Sequence, residues 1–373
     1  MKLNTRKCIA LGLTAVLCLS GCGKKEASEV PSQTLPAESE SSSVMMESSN
    51  PEESALVAEE IEEDDAPEGQ VTSYLTGEYV DAAIGQKRPV AIMLSNVKDA
   101  VPQSGIEKAS IVYEAPVEGG ITRMMGLYED YQDLEKIGSV RSARKYFVEL
   151  ALGHDAVYIS YGHSKYAVKL LDNESTDNLD GVEGSGANVF YRTSDRVAPH
   201  NAYTSTEGIL KGIETQGFDM NYPASYEGYF DFVHSGESTS YEGAAATTVK
   251  TGYVHNNPSF TYNEEDGLYY RSQFGDKQVD IETGNQLAFK NLVLQYCDYE
   301  MFGDGKSLDI DTKSGGKGKY IANGIAVDTT WTYDKETGIA HFFLEDGSEL
   351  KMNPGKTYVG IILNENADKV EIS

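Results

Sequence analysis

The aromatic residues of this chain are confined to its last four fifths. All 36 Phe, Trp and Tyr residues lie at or after Tyr74, and the first 73 residues contain none. Aromatic side chains supply much of a core's buried area, so a stretch without them cannot form an ordinary core. The fold is therefore predicted within about 300 residues, which is enough for one large domain or two ordinary ones.

The charge of the chain is equally uneven. Residues 23–73 carry two Lys against fourteen Asp and Glu, and the whole chain has a formal net charge of −28. Nucleic-acid binding needs a basic surface, so an acidic body of this kind predicts that nucleic acid is not a partner.

The first residues have the pattern of a bacterial lipoprotein signal. A basic start (Lys2, Arg6 and Lys7) precedes an apolar run of thirteen residues, 8–20, which is too short to span a bilayer. The run ends in Leu-Ser-Gly-Cys, with Cys22 in the position that accepts a diacylglyceryl group. We predict a signal peptide over 1–21, lipidation of Cys22 and a location on the outer face of the cytoplasmic membrane. The alternative is an ordinary cleaved signal in which Cys22 is incidental.

The segment after this cysteine is predicted to be a tether. Residues 22–73 are rich in Ser and Glu, and such a composition cannot bury a core and stays disordered. With Cys8 and Cys18 in the signal and Cys22 lipidated, only Cys297 remains, so no internal disulfide can form. Cys297 lies in an alternating strand pattern and is predicted to be a buried structural thiol.

Two patterns divide the folded part. Residues 74–240 alternate apolar strand-like runs with helical ones, which predicts a layered α/β domain. One of the helices is predicted to begin after Ser205 or Thr206 and to end at Gly217. Residues 241–373 alternate with period two around Asp-Gly and Asn-Gly turns, which predicts a mostly antiparallel β domain. The fold class is therefore mixed α/β, and the pattern leaves open whether the two parts form one structural unit.

Five of the seven Arg residues of the folded part lie between residues 123 and 196. Arg141 and Arg144 lie where a strand ends and a helix begins, a position that disfavours cations unless an anion neutralises them. A second block after a later strand contains Arg192, Arg196, His200 and Asn201. If both strands end at one sheet edge, these six residues form a site for phosphate or carboxylate. The alternative is structural pairing of the arginines with acidic neighbours.

Three further residues are candidates for catalysis. Glu118 precedes a Gly-Gly turn and could act as a general base, with Arg123 close behind it, and Asp195 lies in the second Arg block. The alternative for Glu118 and Arg123 is a solvated hairpin turn with an outward-facing pair. His163, which follows a strand, is a possible site residue by the same reasoning. The acidic spacings do not fit a calcium loop, so no metal site is predicted, and the residues do not identify a cofactor.

Several motifs together resemble the YerB-like lipoproteins, the family of domain of unknown function 3048. These motifs are RPVAIMLSN, PQSGIEKASIVYEAPVEGGITR, IGSVRSARKYF, DAVYISYGHS, FYRTSDRVAPHNAY, GKGKYIANGIAVDTTW and GSELKMNPGKTYVG. The resemblance covers nearly all of the chain from about Tyr79 and implies a lipid-anchored protein with N- and C-terminal family domains.

A second similarity is to the LytR-CpsA-Psr phosphotransferases, which transfer wall polymers from a polyprenyl pyrophosphate carrier. In that family too a strand delivers Arg to a helix start, but here SVRSAR lacks the Asp that follows the Arg. The sequence therefore supports three hypotheses about function. The first is an envelope lipoprotein that binds an anionic ligand such as a wall glycan or phosphorylated precursor. The second is a phosphotransferase or hydrolase on polyprenyl-linked wall precursors, and the third is a scaffold that binds envelope proteins.

Overall fold

Strands dominate the fold. The computed structural model describes residues 66–373, so the predicted signal peptide, Cys22 and most of the predicted tether lie outside the described residues. Within this range no helix is long and apolar enough to cross a membrane.

The first half of the described chain contributes ten strands, most of them short. These are β1 (Gln70–Thr72), β2 (Tyr79–Asp81), β3 (Val90–Asn96), β4 (Ile111–Pro116), β5 (Thr122–Tyr128), β6 (Ile137–Gly138), β7 (Val157–Ser160), β8 (Asn178–Asp180), β9 (Phe190–Arg192) and β10 (Ala202–Thr204).

The second half contributes fourteen strands. These are β11 (Ala244–Ala245), β12 (Thr248–Lys250), β13 (Ser259–Asn263), β14 (Leu268–Gln273), β15 (Asp276–Lys277), β16 (Ala288–Phe289), β17 (Asn291–Cys297), β18 (Tyr299–Met301), β19 (Leu308–Ile310), β20 (Gly316–Ala322), β21 (Ile325–Tyr333), β22 (Ala340–Phe343), β23 (Thr357–Leu363) and β24 (Glu371–Ile372).

The described helices all lie in the first half, apart from one 3₁₀ turn. The α-helices are α1 (Ala82–Gly85), α2 (Lys145–Gly153), α3 (Val168–Leu171) and α4 (Thr206–Gln216). The 3₁₀ turns are Lys98–Ala100, Ile106–Lys108, Glu118–Gly120 and Asn364–Lys369.

One mixed sheet of eleven strands runs through both halves of the described chain. Its order is β11-β21-β20-β17-β23-β4-β5-β3-β7-β8, with β22 paired to β21. The halves meet where β23, almost the last strand, pairs in parallel with β4, with Thr357 opposite Ile111. On its other side β23 pairs in parallel with β17. The strand patterns of the two halves thus belong to one continuous sheet.

Both faces of this sheet are covered, which explains why its central strands are apolar throughout. One face packs against α2 through Phe147, Leu150 and Ala151. The other face packs against α4 through Ile209 and Ile213. In the second half, that same face is covered by a six-stranded sheet of β15-β14-β13-β12-β24 with β16.

The fold is more β-rich than the layered α/β arrangement predicted for residues 74–240. Two of the four α-helices in the described range, α1 and α3, have only four residues each. The helix signals at α4 are confirmed: Ser205 Oγ accepts a hydrogen bond from the N–H of Gly208, and Gly217 ends the helix with φ of 72°. The buried, unpaired state predicted for Cys297 is also confirmed.

The ordered fold begins before Tyr74, where the tether was predicted to end. β1 pairs with β2, and the Ser73 hydroxyl donates to the Glu129 carboxylate at 2.8 Å. The two strands form a small sheet of their own, and β1 has no aromatic residue, so the distribution of aromatic residues did not reveal it.

Candidate anion-binding site

The backbone of residues 139–144 lies across the carboxyl ends of two parallel neighbours, β3 and β7. The Arg141 N–H donates to the Met93 carbonyl of β3 at 3.0 Å, and the Ala143 N–H donates to the Gly162 carbonyl after β7 at 2.9 Å. Helix α2 begins directly afterwards, with Arg144 at its N-cap position. The two arginines therefore lie at the edge of the sheet where α/β folds bind ligands.

The β4–β5 hairpin brings a third arginine to the same edge. Arg123, the second residue of β5, pairs with Ser95 near the end of β3. Glu118 lies in the turn of this hairpin, followed by Gly119 and Gly120 with φ of 78° and 72°. We call Arg123, Arg141 and Arg144 the arginine cluster.

Glu118 is the carboxylate partner of Arg144. The Arg144 Nε donates to both carboxylate oxygens at 2.8 and 2.9 Å, and Nη2 donates to Oε2 at 2.6 Å. Burial alone raises the pKa of Glu118, but the hydrogen bonds and charge of Arg144 outweigh it and leave the pKa below its ordinary value. A carboxylate held in this way is a weak base. The geometry thus favours Glu118 as a partner of Arg144 over the general base considered from the sequence.

Arg123 is buried beside the other two cations. Its side chain is 6% exposed, and its Nη1 donates to the Ser142 carbonyl. Burial, and then the charges of Arg144 and Arg141, lower the pKa of Arg123 to about 9. Since Arg123 faces inward, the outward-facing pair considered for this hairpin is wrong. The charged side chains that act on Arg123 include two cations, Arg144 and Arg141, and one carboxylate, Glu118.

Arg141 lies against a neutral imidazole. Its Nη1 is 3.2 Å from Nδ1 of His200, and the Ser95 hydroxyl is 3.4 Å from the same nitrogen. Because a guanidinium can only donate, Nδ1 accepts and carries no proton. Burial, and then the charge of Arg141, lower the pKa of His200. Within residues 66–373, no Asp or Glu forms an ion pair with Arg141.

The second Arg block reaches the cluster by a different route from the one predicted. Strand β9 belongs to a separate three-stranded sheet, β6-β10-β9, and residues 193–201 form the loop between β9 and β10. The Val140 N–H donates to the Ala202 carbonyl at 2.8 Å, which places this sheet directly beside residues 139–144. β9 is not part of the main sheet. The segment with Arg141 and Arg144 and the segment with Arg192 and Arg196 are therefore brought together by the pairing of β6 with β10.

Arg192 at the end of β9 and Arg196 in this loop have different partners. The Arg196 Nη2 donates to the Pro102 carbonyl at 2.5 Å, and its charge contributes to the lowered pKa of His200. The Arg192 Nη1 donates to Oδ1 of Asn201 at 2.6 Å, and its guanidinium lies 4.7 Å from the centre of the Tyr161 ring.

Asp195 is 60% exposed and lies 3.8 Å from Lys136 Nζ. A solvated carboxylate beside a lysine has no feature of a general base. His163 is held by Asp180, with Nδ1 2.6 Å from Oδ2. In the described range, no group of three His, Cys, Asp or Glu side chains is placed to hold a metal ion.

A buried polar network near this edge was not predicted. Glu114 of β4 and Arg271 of β14 are both fully buried, with Nη2 and Oε2 2.5 Å apart. The Glu114 carboxylate also accepts hydrogen bonds from four other buried side chains, at 2.6–2.9 Å: Asn96, Thr122, Asn256 and Tyr358. The sequence signal was a single Arg in an alternating strand, which by itself indicates an outward-facing residue.

Two family models match the sequence, one in each half of the folded part. Residues 75–219 match the N-terminal domain, and residues 248–359 the C-terminal domain, of the family described as protein of unknown function DUF3048. The Bacillus subtilis protein named "Putative lipoprotein YerB" is 32% identical over 296 residues, which cover 79% of this chain and 87% of that protein.

A solved structure is also similar. The crystal structure of the YerB protein from Bacillus subtilis matches with a TM-score of 0.70 and 31% identity, and it covers 81% of this chain and 99% of that one. The family matches span more than half of the chain, and the relative aligns with more than two thirds of it. This chain belongs to the DUF3048 family, as its motifs predicted.

Proposed function

We propose that this protein is an envelope lipoprotein that binds a phosphate- or carboxylate-bearing ligand at the arginine cluster. Cys22 would carry the lipid anchor on the outer face of the cytoplasmic membrane. The signal pattern before Cys22 and the name of the Bacillus subtilis relative support the anchor. The anionic ligand is the function that the geometry of the cluster supports best.

The shortage of carboxylates around the arginine cluster carries this proposal. Arg123 is buried and close enough to Arg144 and Arg141 for their charges to lower its pKa, and Arg141 contacts a neutral imidazole rather than an acid. Keeping like charges together out of water is costly unless an anion accepts their hydrogen bonds. Arginine forks match phosphate and carboxylate groups, and the first turn of α2 adds N–H groups to the same place. A bound anion would neutralise the cluster.

The Arg141→Gln variant tests this directly. We expect it to weaken the binding of inorganic phosphate about ten- to 150-fold, because a charge-assisted hydrogen bond contributes roughly 1.5–3 kcal/mol. The measurement is calorimetry on the full chain in lipid nanodiscs, repeated at several salt concentrations. The dependence of affinity on salt should also become weaker, because one cation fewer attracts the anion.

Lys277→Gln is the matched control. Lys277 is exposed on β15, so this variant removes the same charge away from the cluster and should bind phosphate as the wild type does. Equal affinities for the Arg141→Gln and wild-type proteins, or no binding by the wild type, would contradict the proposal.

Glu118 should compete with the ligand from within the protein. We expect Glu118→Gln to raise the affinity for phosphate roughly three- to tenfold, because the substitution frees the Arg144 fork and removes a nearby negative charge. The same titration measures the change. Glu300→Gln, which removes an exposed carboxylate on β18, provides the control. A loss of affinity in Glu118→Gln would mean that this carboxylate helps to bind the ligand.

The enzyme hypothesis has less support in this geometry than binding does. Its two proposed bases are a carboxylate clasped by Arg144 and a solvated carboxylate beside Lys136. The scaffold hypothesis also stays a prediction.

A further inference from the structure

A cavity of about 360 Å³ lies on the other side of the Glu118 turn. One wall comes from residues 116–120 and Thr122 of the β4–β5 hairpin, and the others come from the segment 251–254, from residues between 299 and 308, and from the end of β23 with the 3₁₀ turn after it. Pockets for small molecules start at about 300 Å³, so the cavity is large enough for a short chain or a ring.

The walls of this cavity are mainly apolar. Val117, Ile362 and Leu363 line it and are almost fully buried. Two further lining residues leave large apolar side chains in solvent: Val254 is 78% exposed and Met301 is 47% exposed. Single exposed apolar side chains are ordinary, but two around one cavity form a patch that a ligand can cover.

One buried polar group beside the cavity also points to a ligand. Thr251 lines the cavity, and its hydroxyl oxygen is buried and has no hydrogen-bond partner among residues 66–373. A buried hydroxyl without a partner is destabilising, and a ligand oxygen that reaches it would offset that cost. The charged lining residues are Lys306, Glu118 and Glu365, so the cavity itself has no excess of positive charge and the arginine cluster is the place for the anion.

The cavity and the arginine cluster meet at one turn. Glu118 lines the cavity while its carboxylate binds Arg144, so this one residue contacts both the cavity and the arginine cluster. A ligand whose anionic group reaches Arg144 would therefore have its adjoining atoms next to the cavity.

We propose that the ligand of the arginine cluster is an amphipathic anion, a phosphate or carboxylate joined to an apolar group that fills this cavity. The inference rests on the proposed function and extends it from the charge of the ligand to its class. The cluster binds the anionic group, and Val254 and Met301 cover the apolar one.

A series of monoalkyl phosphates from methyl to octyl tests the proposal. The full chain in lipid nanodiscs is titrated with each compound, and empty nanodiscs are titrated in parallel to correct for uptake by lipid. We expect affinity to rise roughly two- to fourfold for each methylene until the cavity is full, because each buried methylene contributes up to about 0.8 kcal/mol. The matching alkyl alcohols, which lack the anion, should bind far more weakly.

A double variant tests whether the gain in affinity with chain length arises in this cavity. Val254→Asn combined with Met301→Gln should remove most of the gain with chain length and leave the affinity for methyl phosphate unchanged. Both side chains are exposed, so the fold should tolerate the change. Leu210→Gln, an exposed apolar residue on α4, is the control and should keep the full gain.

The same titrations distinguish a failure of this inference from a failure of the proposed function. If all alkyl phosphates bind as methyl phosphate does, this inference is overturned and the proposed function stands. If alcohols bind as well as phosphates, the cavity is an apolar site without an anion, and both proposals fail. A gain with chain length that the double variant leaves intact would also overturn the inference, because the apolar group would then lie elsewhere.

Discussion

We expect the Glu114→Gln variant to lose about 3–5 kcal/mol of its free energy of unfolding. Glu114 and Arg271 form a fully buried ion pair between the large sheet and the six-stranded sheet. Neutralising the carboxylate leaves the Arg271 charge in the interior without a counter-ion. The new amide also replaces one of the two accepting oxygens by an NH₂ group. Oε1 accepts from Asn96, Thr122 and Asn256, and Oε2 accepts from Tyr358, so in either orientation of the amide some of these donors lose their acceptor. An unpaired buried charge is among the most destabilising changes that one substitution can make.

Urea denaturation of the wild type and the variant measures this loss. Lys250→Met is the control, because it breaks an exposed ion pair with Glu371 and should cost less than about 1 kcal/mol. A Glu114→Leu, Arg271→Met double variant should recover only part of the loss, because the other donors to Glu114 would stay unpaired. A cost for Glu114→Gln as small as that of the control would show that the buried pair does not hold the two sheets together.

The second large effect depends on pH. Glu129 is 6% exposed, and burial raises its pKa to about 7, with the nearby charges of Asp130 and Glu78 adding to the shift. Below about pH 4.5 the carboxyl is protonated in both states. Between pH 4.5 and 7 the unfolded chain releases this proton while the folded protein keeps it, so the contribution of Glu129 to stability falls as pH rises.

Glu129→Gln removes this loss. We expect the variant to be more stable than the wild type by at most about 3 kcal/mol at pH 8, and nearly equal to it at pH 4.5. The side-chain carbonyl of the introduced amide can still accept the hydrogen bond from Ser73. Thermal unfolding at several pH values measures the difference, with Glu300→Gln as the exposed control. An advantage for the variant that is the same at both pH values would contradict the assignment.

Local chemistry predicted local structure well. The apolar runs of β3, β4 and β5 are fully or almost fully buried strands, and Ser205 and Gly217 begin and end α4 as predicted. Such signals depend on side chains a few residues apart. The order of the strands in the sheet depends on contacts between distant parts of the chain. Nothing in the sequence of β23 shows that it lies between β17 and β4.

The same limit applies to the candidate site. The position of Arg141 and Arg144 at the start of a helix was visible in the sequence, because it depends on a strand–helix junction. The ion pair of Arg144 with Glu118, the burial of Arg123 and the contact of Arg141 with His200 depend on segments joined only by the fold. The pair of Glu114 and Arg271 joins residues 157 positions apart, beyond the reach of any local pattern.

The placement of β23 has a consequence for biosynthesis. Because this strand supplies the partner edge of β4, a nascent chain emerging from its amino terminus keeps that edge open until residues 357–363 have left the ribosome. The central sheet can therefore close only after residues 357–363 are available. A chain truncated before Thr357 would lack the strand between β17 and β4, and the facing edges of both strands would stay open to pairing with other chains.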